Sequence, residues 1–428
     1  MKWSKYNYLF TTKKNIKLLY NSITNNFIEL NKDQYDSLQK FKENPDENKH
    51  IISDELINAG IIVENDKNLY YSLKLEKQLT KFDTSYLALT IVPTAACNFD
   101  CTYCYETNRP EIYMDDITEN KIVEFVKSYS EANRLRVTWY GGEPLLAFDR
   151  IVSLTEKLKA VNTNYEAYMI SNAYLLDKNV SDKLKSLSIT GLQITLDGLQ
   201  ETHNKRRPHL HHSDSFQTIT KNLDYLFETN KDIKVALRVN IDKTNEDEYH
   251  KLYDYLKTRY NTENLNIHPG YVTNIYSSCS STGCEFDREH KNEFVLKQFK
   301  EHNIPMSLYP KTSIGGCTAR HINSFVIGAK GELYKCWNDL GLKEKEIGNL
   351  HSNEQFNNKL LVRYLVAADQ LDDQKCQNCF FFPICNGGCP FSRIANEFED
   401  EDIDCCHVAK NNLKQYLELH YENIIENE

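Results

Sequence analysis

The chain has 428 residues, enough for two or three domains with substantial cores. Its formal charge of −10 argues against a large nucleic-acid footprint, which needs a basic face. No apolar run reaches the length of about 18 residues that spanning a bilayer requires, and Met1 to Phe10 is polar and aromatic, so neither a membrane helix nor a signal peptide is expected.

The N-terminal segment, taken as residues 1–80, reads as three short strands, Tyr6 to Thr12, Ile16 to Tyr20 and Phe27 to Leu30, with turn residues between them. Helical spacing follows over Asp33 to Phe41 and His50 to Ala59. Gly60 then reads as a C-cap before a return strand, Ile61-Ile62-Val63. This order resembles the winged-helix peptide-recognition element of ribosomal-peptide-modifying enzymes, in which a leader peptide adds as a strand to a sheet edge. The alternative is a small stabilising cap. Lysines and acids nearly balance in this segment, which disfavours a DNA-binding winged helix.

Strands then alternate with helical stretches, the pattern of repeated βαβ units. Strands are expected over 86–92, 135–140, 166–171, 192–197, 234–241 and 265–272, with helices over 116–133, 148–162, 178–187, 215–229 and 245–260. The first strand delivers Cys97-x3-Cys101-x2-Cys104 into a loop. Three thiolates so spaced can hold three irons of a [4Fe–4S] cluster and leave the fourth open. Zinc normally takes four protein ligands, which this trio alone does not provide.

This loop, with Tyr103 just before its last cysteine, resembles the signature of the radical S-adenosylmethionine (SAM) enzymes. The resemblance implies that the open iron chelates the amino and carboxylate groups of SAM. One electron then splits the C–S bond, and the 5′-deoxyadenosyl radical so formed takes a hydrogen from substrate. Tyr140-Gly141-Gly142-Glu143-Pro144 looks like the family's GGE motif, with glycines that allow close backbone approach and Glu143 to accept from the methionine amino group. Ser171-Asn172-Ala173 matches the position beside the SAM ribose and carboxylate, although Ser and Asn are also N-cap residues. After Leu192 to Gly198 come His203 and Lys205-Arg206-Arg207, where the resemblance implies an arginine paired with the SAM carboxylate. The spacing leaves Arg206 and Arg207 as alternatives, and His209, His211 and His212 read as a solvated loop.

In the last quarter, Cys317-x13-Gly331-x4-Cys336 precedes Cys376-x2-Cys379-x5-Cys385-x3-Cys389 and then Cys406. The pattern resembles the SPASM domain, which holds two auxiliary [4Fe–4S] clusters, making three clusters with SAM as the cofactors of the whole chain. Ala329-Lys330-Gly331-Glu332 reads as a hairpin turn that brings Cys317 and Cys336 toward one cluster. The resemblance assigns Cys376, Cys379, Cys385 and Cys406 to the distal cluster and Cys317, Cys336 and Cys389 to the proximal one. The proximal set is one ligand short: Cys279, Cys284 or Cys405 completes it, or the site stays open for a substrate thiolate. Cys405 is also the alternative to Cys406. Glu397 to Asp404 is an acidic, solvated connector, and a closing helix is expected over Val408 to Tyr421.

The expected architecture is α/β: a partial (β/α)6 radical SAM barrel over 81–310, the winged-helix-like α+β domain before it, and a cysteine-rich SPASM domain over 311–428. Sites are expected at the C-terminal strand ends, as in complete barrels. The implied function is a radical SAM peptide maturase that installs a thioether or carbon–carbon crosslink in a ribosomally made precursor peptide bearing a leader. It would draw single electrons from a flavodoxin or ferredoxin and act in reducing cytoplasm, without nucleic-acid or membrane partners. The alternatives are an anaerobic sulfatase-maturing enzyme that makes formylglycine, and a non-catalytic iron–sulfur peptide-binding scaffold.

Overall fold

The computed structural model describes residues 1–104, 106, 110–273, 285–352 and 358–427, and the chain divides into two compact units. The larger unit comprises Asp83–Ile304 and Ile322–Arg363. Its centre is a run of parallel strands in chain order, Tyr86–Ile91, Arg134–Trp139, Tyr165–Ser171, Ile189–Thr195, Lys234–Ile241 and Leu265–Tyr271, each hydrogen-bonded to the next. These are the six strands read from the sequence, moved by a few residues at their ends. Helices return between them over Asp116–Ser128, Phe148–Val161, Lys178–Lys183, Ser215–Thr229 and Tyr249–Arg259. Local chemistry starts two of them, since the Asp115 carboxylate accepts from the Thr118 N–H at 2.7 Å and Asp177 accepts from Val180 at 3.0 Å.

The strands have two unlike faces. In Tyr165–Ser171 the buried residues Tyr165, Ala167, Met169 and Ser171 alternate with half-buried Glu166, Tyr168 and Ile170. Lys234–Ile241 repeats this, burying Val235, Leu237, Val239 and Ile241 and turning Arg238 and Asn240 the other way. Two strand glycines make room on that second face: a Cβ on Gly191 would lie 2.7 Å from the Tyr168 ring, and one on Gly270 would lie 2.7 Å from Arg238 Cζ.

The open edge of the first strand is not left bare. Ser324–Ile327 pairs with it in parallel, and Glu332–Tyr334 and Gly348–Asn349 extend the same sheet in antiparallel fashion. The expected hairpin turn is present, with Gly331 at φ +80°. What the sequence did not announce is that this hairpin extends the parallel sheet, covering an edge of its first strand that would otherwise expose unpaired backbone groups.

The smaller unit joins the two chain ends: Met1–Phe82, Pro305–His321 and Tyr364–Glu428. Its antiparallel sheet, Asn7–Thr11, Lys17–Asn21 and Phe27–Leu30, is the one expected. The return strand Ile62–Val63 pairs with Lys2–Trp3, a strand absent from the sequence reading. Lys32–Glu43 begins on a capping box between Asn31 and Gln34. The second expected helix is broken into a 3-10 turn, Lys49–Ile51, and a short helix, Asp54–Asn58, begun by the Ser53 cap. Alternation in the middle strand sends Leu19 to one side, against Leu38, Phe41, Ile61 and Ile62, and Leu18 and Tyr20 to the other. The closing helix, Leu413–Asn427, covers that second side with Leu413 and Leu417. Domains were expected at 1–80, 81–310 and 311–428. The chain passes between units at Phe82/Asp83 and Ile304/Pro305, but the end segments fold as one body and Ile322–Arg363 returns to the larger unit.

Leu417 is fully buried against Phe10, Leu18 and Tyr20. Leu417→Ala is expected to cost about 2–5 kcal/mol and to accelerate hydrogen exchange in Lys17–Asn21, at the other end of the sequence. Unchanged exchange in that strand would contradict this docking.

Candidate functional site

The cysteine loop leaves the first strand and is held on two sides by backbone bonds. On one side, Glu143 N–H donates to Ala96 O at 2.9 Å and Gly142 N–H to Thr94 O at 3.3 Å. On the other, Asp100 N–H donates to Pro208 O at 2.8 Å, Thr102 N–H to Arg206 O at 3.1 Å and Leu210 N–H to Asn98 O at 2.9 Å. The glycines are required by this proximity. Gly141 has φ +121°, and a Cβ on Gly142 would clash with Ala96 O and lie 2.6 Å from Ala95 O.

Cys97, Cys101, Cys104 and Tyr103 line one cavity with Gly141, Gly142, Glu143, Ser171, Asn172 and Arg207. The sequence named all of these. Tyr140, Ile170 and Thr195 line it too, from neighbouring strand ends, without having been singled out as site residues. Glu143 is almost fully buried, and its carboxylate accepts from Leu145 N–H at 3.0 Å, Ser171 Oγ at 2.7 Å and Asn172 N–H at 2.8 Å. Burial raises its pKa, while the three donors pull it back. Glu143 therefore braces Ser171 and Asn172, a role not anticipated when it was read as an acceptor for a methionine amino group. Asn172 in turn donates to Asn98 Oδ1 at 2.7 Å, back in the cysteine loop.

The two arginines part company. Arg206 pairs with Asp242 at 2.9 Å and donates to Thr244 Oγ1 at 2.8 Å, and it does not line the cavity. Arg207 does line it, donating to Tyr103 Oη at 2.6 Å, with Nε buried and unpartnered among the described residues. The Tyr103 hydroxyl donates to Asp197 and accepts from Asn240 Nδ2 at 3.0 Å. Burial, first of all, holds the Tyr103 hydroxyl well above its usual pKa. Asp197 and Asn240 were missed as site residues. Their positions just past or within the ends of parallel strands were the available signal.

The chain holds no disulfide among its described cysteines. Burial pushes the Cys97 thiol up to about 12, so thiolates there need a cation to form. Among the described residues no three Cys, His, Asp or Glu side chains close around a single metal ion. A cubic cluster gives each thiolate its own iron and spreads its ligands further than one zinc does. The donor set and the backbone N–H groups beside it fit such a cluster.

In the smaller unit, Cys376, Cys379, Cys385, Cys405 and Cys406 line a second cavity. Donors point at their sulfurs: Gly387 N–H to Cys385 Sγ at 3.2 Å, Phe381 N–H to Cys379 Sγ at 3.4 Å, and Lys410 Nζ to Cys406 Sγ at 3.1 Å. Cys405 and Cys406 both face this cavity. Cys405 also lies against the Cys389 loop, because a Cβ on Gly388 would come within 2.9 Å of Cys405 Cβ. Cys317 and Cys389 belong to this unit, whereas Cys336 is carried by the larger one. Cys279 and Cys284 lie outside the described residues.

Glu143→Gln places an amide NH2 against N–H donors and is expected to cost about 1–3 kcal/mol. Urea unfolding of the iron-free protein measures it, and an unchanged midpoint would contradict the bracing role.

Residues 91–256 match the radical SAM superfamily model. Similarity extends beyond that segment. The cysteine-type anaerobic sulfatase-maturating enzyme of Clostridium perfringens is 23% identical over 79% of this chain and 97% of its own length. The GTP 3′,8-cyclase of Haemophilus influenzae is 22% identical over 64% and 84%. Among solved structures, native anSMEcpe with bound AdoMet and the Cp18Cys peptide superposes with TM-score 0.59 at 19% identity, covering 80% of this chain and 98% of that one. Streptococcus suis SuiB bound to its precursor peptide SuiA gives TM-score 0.54 at 16% identity, covering 91% and 95%. With the cysteine loop, the glycine turn and the parallel strand ends assembled at one cavity, the chain is an enzyme whose residues 91–256 match the radical SAM superfamily.

Proposed function

We propose that this enzyme matures a ribosomally made precursor peptide, binding its leader on the N-terminal sheet and modifying a core residue at the radical SAM cavity. The observation that carries this reading is the N-terminal sheet itself. Asn7–Thr11 and Phe27–Leu30 each pair with only one neighbour among the described residues, leaving edges on which an extended peptide can add as a strand. The wider coverage by the SuiB complex, 91% of this chain against 80% for anSMEcpe, supports the same reading.

In this account Cys97, Cys101 and Cys104 hold a [4Fe–4S] cluster, and Arg207 meets the SAM carboxylate. Gly141 and Gly142 bring backbone against the methionine end, with Ser171 and Asn172 beside the ribose. When bound, the cluster and SAM supply the electron and the carbon radical that removes a hydrogen from substrate. The protein's part is to orient those groups and exclude water: Tyr103, Asp197 and Asn240 fix the Arg207 guanidinium, and Glu143 fixes the Ser171 turn. Cys376, Cys379 and Cys385, with Cys406 or Cys405, hold the distal auxiliary cluster. The resemblance to the SPASM domain assigns Cys317, Cys336 and Cys389 to the proximal one, with its fourth position filled by Cys279, Cys284 or Cys405 or left open. The product is a thioether or carbon–carbon crosslink, the electrons come from a flavodoxin or ferredoxin, and the compartment is reducing cytoplasm. Sulfatase maturation is the second reading, favoured by the near-complete coverage of the Clostridium perfringens relative.

Anaerobically reconstituted protein should release 5′-deoxyadenosine from SAM under strong reductant, and Cys101→Ala should abolish it. A short precursor encoded beside the gene should lose two hydrogens in mass. A cysteine peptide from a sulfatase exchanging its thiol for an aldehyde oxygen, with no change in the precursor, would favour the second reading. Arg207→Met should weaken SAM binding at least about tenfold, since a charge-assisted hydrogen bond contributes about 1.5–3 kcal/mol. Arg206→Met should lower stability instead, by stranding buried Asp242. The reverse pattern would move the carboxylate contact to Arg206.

A further inference from the structure

The helix Asp66–Lys81 turns two lysines inward. Lys77 and Lys81 share a face with buried Tyr70 and Leu73, and both are themselves buried. With Arg320 they line one small pocket. Lys81 is bonded to Asp369. Lys77 and Arg320 make no ion pair among the described residues. Lys77 donates to Ser313 O and to Asn386 Oδ1 at 2.8 Å. Arg320 donates to Asn386 O, to Gly388 O at 3.2 Å and to Gln370 Oε1 at 3.3 Å. Three buried cations thus share a single carboxylate, and a buried charge without a counter-charge is costly.

The loop these two cations grip says what the missing charge is. Asn386 to Gly388 is the connection between Cys385 and Cys389, and its tightness is set by two glycines in the left-handed region, Gly387 at φ +71° and Gly388 at φ +75°. Arg320 also follows Cys317 by three residues, and Asn386, which Lys77 and Arg320 both hold, directly follows Cys385. By contrast, Arg393, which lies beside Cys376, is neutralised by Asp373 at 2.9 Å.

We propose that Lys77 and Arg320 are the counter-charge of the auxiliary iron–sulfur clusters and hold their reduction potentials up. The inference rests on the auxiliary-cluster reading above. Thiolate-ligated clusters are anionic, and a nearby fixed positive charge stabilises the form carrying the extra electron. Lys77 belongs to the last helix of the N-terminal segment, so the part of the chain assigned to the leader also sets how readily these clusters accept electrons.

The test uses the full chain with Cys97, Cys101 and Cys104 replaced by alanine, so that only auxiliary clusters contribute, reconstituted anaerobically as the parent, Lys77→Met and Lys77→Arg. Iron is counted and midpoint potentials are read by EPR-monitored titration. The expected result is full iron in all three, a lower midpoint in Lys77→Met and a near-parental one in Lys77→Arg. Iron lost from Lys77→Met alone would equally support the counter-charge. Full iron with an unmoved midpoint in Lys77→Met would overturn it, as would equal iron loss in both variants, which would mark a packing role. A parent that binds no iron would instead refute the auxiliary-cluster reading, and the inference with it.

Discussion

The backbone of Gly141–Gly142 lies so close to Thr94–Ala96 that a single added carbon on Gly142 would overlap a carbonyl oxygen. From that contact the rest of the site follows. It fixes the cysteine loop over the ends of the first two parallel strands and directs the next residue, Glu143, inward. Glu143 holds Ser171 and Asn172 at the end of the third strand, and Asn172 reaches back to Asn98 between the first two cysteines. Three strand ends and one loop are tied in a closed circuit of hydrogen bonds. Each member is buried, so loss of one leaves its partners unsatisfied.

A second circuit closes the opposite wall. Tyr103, Asp197, Arg207 and Asn240 join the cysteine loop to the fourth and fifth strands, and Arg206 anchors the same turn through Asp242. Charge is placed where the sheet is least apolar. The strand positions facing away from the helices carry Arg136, Glu166, Tyr168, Gln193, Arg238 and Asn240. Arg136 is exposed on that face, whereas Glu166, Tyr168, Gln193, Arg238 and Asn240 are half-buried.

The cysteine spacings and glycine turn were legible because their chemistry depends on residue type and short-range spacing alone. The six strands were legible because apolar, β-branched runs alternate with helical stretches. Other features depend on contacts that spacing does not encode. Arg206 and Arg207 are neighbours in the chain, and only the fold sends one to Asp242 and the other to the cavity. Cys405 and Cys406 both reach one cavity, so order along the chain does not separate them. Asp66–Lys81 was overlooked as a helix because its inward face carries Lys77 and Lys81 while Tyr71, Leu75 and Leu79 stay exposed, inverting the usual amphipathic pattern. The union of the chain ends rests on Leu413 and Leu417 meeting a sheet some 400 residues earlier, a pairing that no local pattern announces.

The central claim is that Cys97, Cys101 and Cys104 leave one iron of a cluster open to SAM beside Arg207. EPR of the dithionite-reduced protein before and after SAM is added tests it most directly. The account predicts a signal whose g-values shift on addition of SAM and which is missing from the Cys101→Ala variant. A spectrum that SAM leaves unaltered, in protein with its full complement of iron, would contradict it.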